Sequence, residues 1–234
     1  MKGTQTRDNR DFCGVFLGKT KRYFVLADGI TNCPNGGLLA KELIQSILYA
    51  FKYCCTAHKQ QSMVKCLQTI HEKLRIKYYT DSASYLIGVL SPQNLLITLH
   101  AGDCLAGKVE NKNKIEWIIS PHTLANPTQD HVAPETIAKD INRNRLTRSF
   151  RGKRFKEPEF NSFHLAPDDE ILFASDGFWA ELSEQKQIKL LRGGYPPKYL
   201  CDDTSVLLIG NYINGIKTLT NNSQNLIRLT PQTS

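Results

Sequence analysis

The sequence has no long uninterrupted apolar run. No segment approaches the roughly 20 apolar residues that a helix needs to cross a bilayer, and the first residues, MKGTQTRDNRDF, have no apolar core like that of a secretory signal. We therefore expect a cytoplasmic protein that is not embedded in a membrane. With 234 residues, 41% of them hydrophobic, the chain is still long enough to bury a substantial core.

The cysteines lack the spacings of structural sites. The seven cysteines are an odd number and include no C-x-x-C pair, which argues against a disulfide framework and a zinc ribbon. We expect reduced thiols that are mostly buried. Cys201 stands beside Asp202, but no C-x-x-x-x-x-R loop follows it. We interpret it as another buried thiol, not as the nucleophile of a cysteine phosphatase.

The commonest catalytic signatures are also missing. The sequence contains no G-x-x-x-x-G-K-[ST], no H-E-x-x-H, no G-x-S-x-G and no G-x-G-x-x-G after a predicted strand. These absences argue against the usual nucleotide, zinc and acyl-transfer sites.

One basic run stands out in a chain with a formal net charge of +8. Residues 142–156, NRNRLTRSFRGKRFK, contain seven Lys or Arg and no acid. A nucleic-acid site usually adds stacking aromatics or a recognisable motif, and only two phenylalanines are interleaved here, so we expect no nucleic-acid partner. The run is interpreted either as a solvated loop or as a docking site for acidic or multiply phosphorylated protein substrates. The docking residues would be Arg145, Arg148, Arg151 and Arg154.

Apolar periodicity predicts two long helices. In GGLLAKELIQSILYAFKYC, the residues Leu39, Leu43, Ile47 and Phe51 stand four apart, which is typical of one buried helix face. The segment SMVKCLQTIHEKLRIKYY repeats the pattern. A third helix is predicted near 181–191.

Short runs rich in Val, Ile, Leu and aromatics predict strands. They lie at 23–27, 85–90, 94–100, 115–119, 170–175 and 205–210. Pro, Gly, Asn and Asp indicate loops at 121–145 and 193–203. Helices and strands do not alternate as in a doubly wound fold, so we predict an α+β fold of antiparallel sheets covered by helices. One domain is expected over 1–210, followed by a polar C-terminal edge strand or tail over 211–234.

Carboxylates stand at the ends of several apolar runs. YFVLADGI stops at Asp28, LLITLHAGDCL carries Asp103, and ILFASDGFWAEL passes into Asp176. Asp202, in CDDTSVLLIG, precedes its apolar run instead. An Asp-Gly pair alone is typical of a tight turn. Several such carboxylates together supply the oxygen ligands that Mg²⁺ or Mn²⁺ prefers.

The order of these segments resembles that of a known family. YFVLADGITNCPNGGLLAKEL is similar to F-x-V-A-D-G-x-G-G-x-x-x-G-x-x-A-S, and SASYLIGVL with LLITLHAGDCLAGKV to a T-T strand and a G-D-S-R strand. ISPHTLAN is similar to T-x-D-H-S-x-x-N, and RLTRSF to L-T-R-A-L-G. LAPDDEILFASDGFWAELSEQ and CDDTSVLLI are similar to segments carrying S-D-G and D-N-x-T-V. The set resembles the metal-dependent PPM, or type 2C, serine/threonine phosphatases of bacterial type.

The resemblance implies a PPM-type α-β-β-α sandwich with two Mn²⁺ or Mg²⁺ ions at one end. Asp28 would bridge both ions, the Gly29 carbonyl would bind one, and Asp176 with Asp202 would hold the other. The ions would neutralise a phosphomonoester and acidify a bridging water that attacks phosphorus in line. The implied protein is a monomeric serine/threonine phosphatase that acts on phosphoproteins and has a serine/threonine kinase as a candidate partner.

The N-terminus departs from the family pattern. The family's R-x-x-N-E-D corresponds to RDNRD at 7–11, where Asp11 matches its Asp but Arg10 replaces its Glu. Arg7 and Arg10 are both candidates for the arginine that binds phosphate. Ile30 stands where some members carry a proposed general-acid His, which leaves the general acid unassigned. His122 is interpreted as a hydrogen-bonded structural residue.

Several family members bind a third, more weakly held ion, and this sequence lacks one of its two carboxylate ligands. Asp103 matches one of its two carboxylates, but the second position is Ala180. We therefore expect two ions per chain, with Asp11, Asp103 and Asp203 as supporting or weakly occupied ligands. The alternative function is a catalytically weak, PPM-like module that binds phosphoproteins and regulates them.

Overall fold

The architecture is that of a computed structural model, which describes residues 1–18, 21–53, 59–111, 113–130, 132–166, 168–210 and 225–229. Within these residues the strands are β1 Asp11–Leu17, β2 Arg22–Gly29, β3 Ser82–Leu90, β4 Leu95–Ala101, β5 Leu105–Glu110, β6 Lys114–Trp117, β7 Phe150–Arg151, β8 Glu159–His164, β9 Glu170–Ala174, β10 Val206–Ile209 and β11 Leu226–Leu229. The helices are α1 Gly36–Tyr53, α2 Gln60–Leu74, α3 Pro134–Ile137, α4 Asp176–Trp179 and α5 Glu184–Leu191. None of these helices combines the length and the apolar content that a membrane span requires.

The strands form two sheets. Sheet A has seven strands in the order β11-β1-β2-β3-β4-β8, and β7 pairs with β3 beside this path. Sheet B has four strands in the order β10-β9-β5-β6. The pairs are antiparallel apart from β1 and β11, which run parallel.

The two long helices cover the outer face of sheet A. The predicted stripe of α1 is buried along its whole length, from Leu39 to Phe51. In α2 the side chains of Met63 and Leu67 face the same core. Each such side chain contributes roughly 1.5–3 kcal/mol through removal from water. Burial of this apolar face therefore stabilises both helices, whose intrinsic helix propensity alone would leave them only marginally stable.

A second apolar core lies between the two sheets. Leu26 and Leu86 of sheet A meet Leu105, Leu172 and Phe173 of sheet B, and all five are shielded from solvent. On the side of sheet B, α4 packs against α5, and α5 also contacts β6. The layers confirm the α+β sandwich of sheets and flanking helices that the sequence predicts.

The predicted elements overlap observed ones, but several observed elements were not predicted. Each predicted strand coincides with a strand, and the third predicted helix coincides with α5. The sequence did not predict β1, β5, β7 and β8, and α3 lies in a segment expected to be a loop. In β8 no residue is fully buried, so its sequence lacks a strong apolar pattern. β11 forms an edge of sheet A from within the segment expected as an edge strand or tail; the domain boundary at 210 stays a prediction.

The prediction of mostly buried thiols was wrong for Cys201. That side chain is exposed, whereas Cys104 is buried and Cys13, Cys33 and Cys66 are half-buried, all as free thiols. Cys201 lies in the loop before β10, where Glu181 Oε2 accepts its backbone N–H at 2.8 Å. A loop residue held by its backbone need not bury its side chain. The remaining two cysteines lie outside the described residues.

Candidate metal centre

A row of polar side chains ends the inter-sheet core. In the register of β1, β2 and β3, Asp11 pairs with Asp28, and Asp28 pairs with Ser84. Side chains of cross-strand partners share one sheet face. Two residues away along β2 and β3, the same face carries Leu26 and Leu86, which are buried between the sheets. The row therefore lies at one end of the apolar layer.

Asp103 joins this row through Ser84. The Ser84 hydroxyl donates to Asp103 Oδ1 at 2.5 Å and accepts the Asp103 backbone N–H at 3.2 Å. Gly102 allows the approach, because its φ of 123° favours glycine and a Cβ there would lie 2.1 Å from Ser84 Oγ. The carbonyl of Asp103 accepts the Trp179 indole N–H at 2.8 Å. The G-D turn is thus fixed in place by β3 and α4.

The remaining carboxylates come from the side of sheet B. Asp176 follows β9 and begins α4, and Asp202 lies in the loop before β10. Because β9 and β10 are antiparallel neighbours, the end of one meets the start of the other. Glu181 holds the loop by accepting the backbone N–H groups of Cys201 and Asp202, at 2.8 and 3.1 Å.

These carboxylates perturb one another electrostatically. Burial, followed by the charges of neighbouring carboxylates, raises the pKa of Asp28 well above its ordinary value, and the same causes raise the pKa of Asp176. Burial raises the pKa of Asp11 to about 7. It also raises the pKa values of Asp103 and Asp202. We call these five residues the carboxylate cluster. The nearby positive charge is too small to balance five ionised carboxylates, so their charged forms are disfavoured.

The cluster fits divalent metal ions. Asp11 Oδ1 and Asp176 Oδ1 are buried and have no hydrogen-bond partner among the described residues. Burying such an oxygen costs free energy of folding unless the oxygen is hydrogen-bonded or binds a cation. Gly29 follows the cluster at the end of β2, where a Cβ would lie 2.2 Å from the backbone of Gly36. An all-oxygen donor set of carboxylates with a nearby carbonyl is what Mg²⁺ and Mn²⁺ require.

Comparisons with known proteins give matches among solved structures. Neither a family model nor a curated protein sequence matches the chain. The PPM Ser-Thr phosphatase MsPP from Mycobacterium smegmatis is 17% identical, with 90% of this chain and 95% of that one covered and a TM-score of 0.68. Stp1 from Staphylococcus aureus is 19% identical over 92% and 93%, with a TM-score of 0.70. The catalytic domain of PstP in complex with two manganese ions is 16% identical over 89% and 94%, with a TM-score of 0.60.

The chain has the PPM phosphatase fold. Within this PPM fold, Asp203 is hydrogen-bonded to the N-terminal segment. Its Oδ1 accepts the Gly3 N–H at 2.7 Å, and its Oδ2 accepts the Arg10 N–H at 2.6 Å. Asp203 therefore holds the start of β1, and through it Asp11, against the loop that carries Asp202.

The two arginines predicted to bind phosphate do not contact the carboxylate cluster. Arg7 is exposed. Arg10 Nη1 donates to the carbonyls of Ile30, Thr31 and Cys33, at 3.3, 2.9 and 2.7 Å. The residue that replaces the family's Glu thus stabilises the turn before α1.

A different arginine contacts the carboxylate cluster, and sequence reasoning missed it. Arg143 Nη1 donates to Asp176 Oδ2 at 3.3 Å. The only sequence signal was the basic run, in which Arg143 resembles its neighbours. Glu181 was also missed, because the position compared with the family was Ala180, one residue earlier.

His122 forms a buried connection to the G-D turn. Its Nδ1 accepts the Gly102 N–H at 3.2 Å, and its backbone N–H donates to the Gly102 carbonyl at 2.9 Å. These bonds assign the ring proton to Nε2, which donates to Glu159 Oε2 at 3.0 Å. This hydrogen bond lowers the pKa of Glu159. The geometry supports the structural interpretation of His122.

His100, His122 and Glu159 have ligand atoms within 4.8 Å of one another, as in a metal site. The two rings stack with centroids 4.3 Å apart. His100 Nε2 bonds to the Ser120 carbonyl at 3.1 Å, which leaves His100 Nδ1 as the ring nitrogen without a partner among the described residues. Because both ring nitrogens of His122 are already hydrogen-bonded, this group is a buried polar network and not a prepared metal site.

The raised carboxylate pKa values predict how pH affects metal-free stability. A folded-state pKa above the unfolded value of about 4 means that the folded chain holds the extra protons, so stability falls as pH rises from about 4 through the folded pKa. For Asp11 that interval extends to about 7. We expect Asp28→Asn to stabilise the chelator-treated protein by about 1 kcal/mol or more at pH 8, and by less at pH 5.

The measurement is thermal and urea unfolding at both pH values with a chelator present. Asp168→Asn is the control, because Asp168 is exposed in a turn before β9. Wild-type stability that rises between pH 5 and 8, or a less stable Asp28→Asn protein at pH 8, would show that the cluster is not under electrostatic strain.

The two hydrogen bonds of the His122 ring can be separated by substitution. The Asn oxygen in His122→Asn approximates Nδ1 and can still accept from Gly102, whereas the Gln amide in His122→Gln approximates Nε2 and can still donate to Glu159. Both changes should cost about 1–3 kcal/mol of stability. Amide hydrogen exchange at Gly102 should accelerate clearly only in His122→Gln; equal exchange in the two variants contradicts this assignment of the bonds.

Proposed function

We propose that the chain is a divalent-metal-dependent protein serine/threonine phosphatase. The observation that carries the proposal is the carboxylate cluster, which lies at the end of the inter-sheet core in a fold shared with serine/threonine phosphatases. The likeness in fold alone would not indicate activity. Buried carboxylates that lack positive charge are the additional evidence for a metal centre.

Two Mn²⁺ or Mg²⁺ ions fit the residues present. The ions would be held by Asp28, the Gly29 carbonyl, Asp176 and Asp202. Asp11 and Asp103 would be supporting or weakly occupied ligands. When bound, such ions offset the charge of a phosphomonoester and lower the pKa of water. That one of the similar structures is in complex with two manganese ions supports the count of two.

The chain's own residues would keep this centre rigid. Ser175 Oγ donates to Asp11 Oδ2 at 2.7 Å, and Ser84 holds Asp103 from the other side. Ligands whose positions are fixed before binding lose less entropy when the ion arrives and set a defined place for the phosphate. The general acid stays unassigned, because the His122 ring bonds to Gly102 and Glu159.

One observation favours the second candidate, a catalytically weak module that binds phosphoproteins. Arg10 replaces a carboxylate of the family, and its side chain is bonded to the turn at Ile30, Thr31 and Cys33. A centre with one fewer carboxylate holds its ions less tightly. Binding of a phosphopeptide without Mn²⁺-dependent turnover would favour this module over the enzyme.

A cleft beside the centre supports phosphoproteins as the substrate class. It measures about 320 Å³ and is lined by Ile30, Ser82, Asn144, Arg151 and Lys153 among others. No cluster residue lines this cleft, but Ile30 directly follows Gly29 and Asn144 directly follows Arg143, so the cleft lies next to segments that carry the proposed site. Its exposed cations suit acidic residues next to a phosphorylated side chain.

The first experiment measures phosphate release from an aryl phosphate and from phosphoserine and phosphothreonine peptides, with and without Mn²⁺. The wild-type protein should need the metal. Asp176→Asn should reduce kcat at least about 100-fold and weaken Mn²⁺ binding, because it removes charge from the metal site. The variant should still fold, since one repelling carboxylate has been neutralised.

Turnover of the Asp176→Asn protein at the wild-type rate would refute the assignment of the centre. The matched control is Asp168→Asn, which should behave as wild type in both assays.

The basic run predicts a difference between small and protein substrates. Of the four arginines proposed for docking, Arg151 lines the cleft, together with Lys153. Arg151→Gln and Lys153→Gln should together raise KM for an acidic phosphopeptide about 5-fold or more, with little change for an aryl phosphate, because rim charges act mainly on association.

Lys186→Gln is the control, because Lys186 is exposed on α5 and belongs neither to the basic run nor to the lining of the cleft. Equal losses for peptide and aryl phosphate, or equal effects of the control, would leave the run as a solvated loop.

A further inference from the structure

Arg143 is the arginine that contacts the carboxylate cluster. Its Nη1 lies 3.3 Å from Asp176 Oδ2, and its side chain is 19% exposed, so it stands at the mouth of the centre and not outside it. Among the described residues its guanidinium has no other hydrogen bond. Most of its donors therefore have no hydrogen-bond partner in the part of the chain that the structure describes.

The backbone around Arg143 is well fixed. The Arg143 N–H donates to the Asp140 carbonyl at 3.1 Å, and the Arg145 N–H donates to the Asn142 carbonyl at 3.0 Å. The carbonyl of Arg145 accepts the Leu124 N–H at 2.9 Å, which attaches this turn to the segment that carries His122. Arg143 thus extends from a defined turn, and holding it near the cluster costs little additional entropy.

The contact with Asp176 is longer than a strong ion pair. Charge-assisted N–H···O bonds are usually about 2.7–2.9 Å long, whereas this one measures 3.3 Å. The guanidinium makes one long contact and has several further N–H donors. It can therefore exchange this contact for one with a phosphate oxygen. Arginine suits this role because its planar fork matches phosphate geometry.

We propose that Arg143 binds the phosphate of the substrate, in the role for which Arg7 and Arg10 were the sequence candidates. Arg7 is exposed and Arg10 is bonded to three carbonyls, while Arg143 lies beside Asp176. A dianionic phosphate approaching five carboxylates needs a cation on the protein side in addition to the metal ions. The inference rests on the proposed phosphatase function.

The competing explanation is that Arg143 only neutralises Asp176 when no metal is bound. The two explanations differ in what the arginine affects. A phosphate-binding arginine determines the affinity for phosphate, whereas a simple counter-charge competes with the metal ion for Asp176.

The test compares Arg143→Gln and Arg143→Lys with the wild type and with Lys139→Gln. Lys139 is the matched control, because it lies four residues before Arg143, is exposed, and stands outside the basic run. Calorimetry measures binding of inorganic phosphate to the Mn²⁺-loaded protein, and a separate titration measures Mn²⁺ binding alone. KM and kcat for an aryl phosphate complete the set.

Arg143→Gln should weaken phosphate binding and raise KM by about 10-fold or more, as expected for loss of a charge-assisted hydrogen bond. Arg143→Lys should recover part of the loss, and Lys139→Gln should stay within about twofold of wild type. Unchanged phosphate affinity in Arg143→Gln, with or without tighter Mn²⁺ binding, would overturn the proposal. Because phosphate binding is measured directly, a wild-type protein that binds phosphate through Arg143 but shows no turnover would refute the enzyme and leave this inference standing.

Discussion

Mutual repulsion among buried carboxylates is the constraint on which the rest of the site depends. Asp28 and Asp176 lie within each other's field and in that of three further aspartates, and water screens them only in part, because Asp176 is buried and Asp28 is half-buried. A fold with a net stability on the order of 5–15 kcal/mol can hold such a group only if other interactions oppose the repulsion. A bound cation relieves it, and this links metal binding to stability.

The two sheets supply the opposing interactions. Asp11 and Asp28 belong to neighbouring strands whose ladder continues unbroken from Asp11 to Leu17, so neither can move away without loss of strand pairing. The Ser84 hydroxyl accepts the backbone N–H of Asp103, and the Ser175 hydroxyl donates to Asp11. The apolar layer behind them, with Leu26 and Leu86, excludes water. The apolar parts of β2 and β3 therefore end where the carboxylate cluster begins.

The chain's departures from the family pattern gain a physical explanation in the same terms. Arg10 occupies a carboxylate's position in the sequence, but its side chain turns to the carbonyls before α1 and adds no charge to the centre. Arg143 instead brings a cation to Asp176, out of a loop held on the His122 segment. The charge balance at the centre is thus set by residues more than a hundred positions apart.

The long helices could be predicted from the sequence more completely than the strands. The stripe from Leu39 to Phe51 follows the helical period, and burial of one helix face produces such a pattern in any fold. β8 has no fully buried residue and β1 contains Gly14, so neither shows a clear alternation. The aspartates were found through the order of motifs. The contact of Arg143 with Asp176 and the exposure of Cys201 depend on loop conformation, which local sequence does not determine.

The proposed activity depends on the binding of two divalent ions by the carboxylate cluster. Its most direct test is anomalous diffraction at the manganese absorption edge from crystals of the protein grown with Mn²⁺. We expect two peaks beside Asp28, one near Asp176 and Asp202 and the other near the Gly29 carbonyl. A map with no peak at these residues, or with its strongest peak at His100, His122 and Glu159, would contradict it.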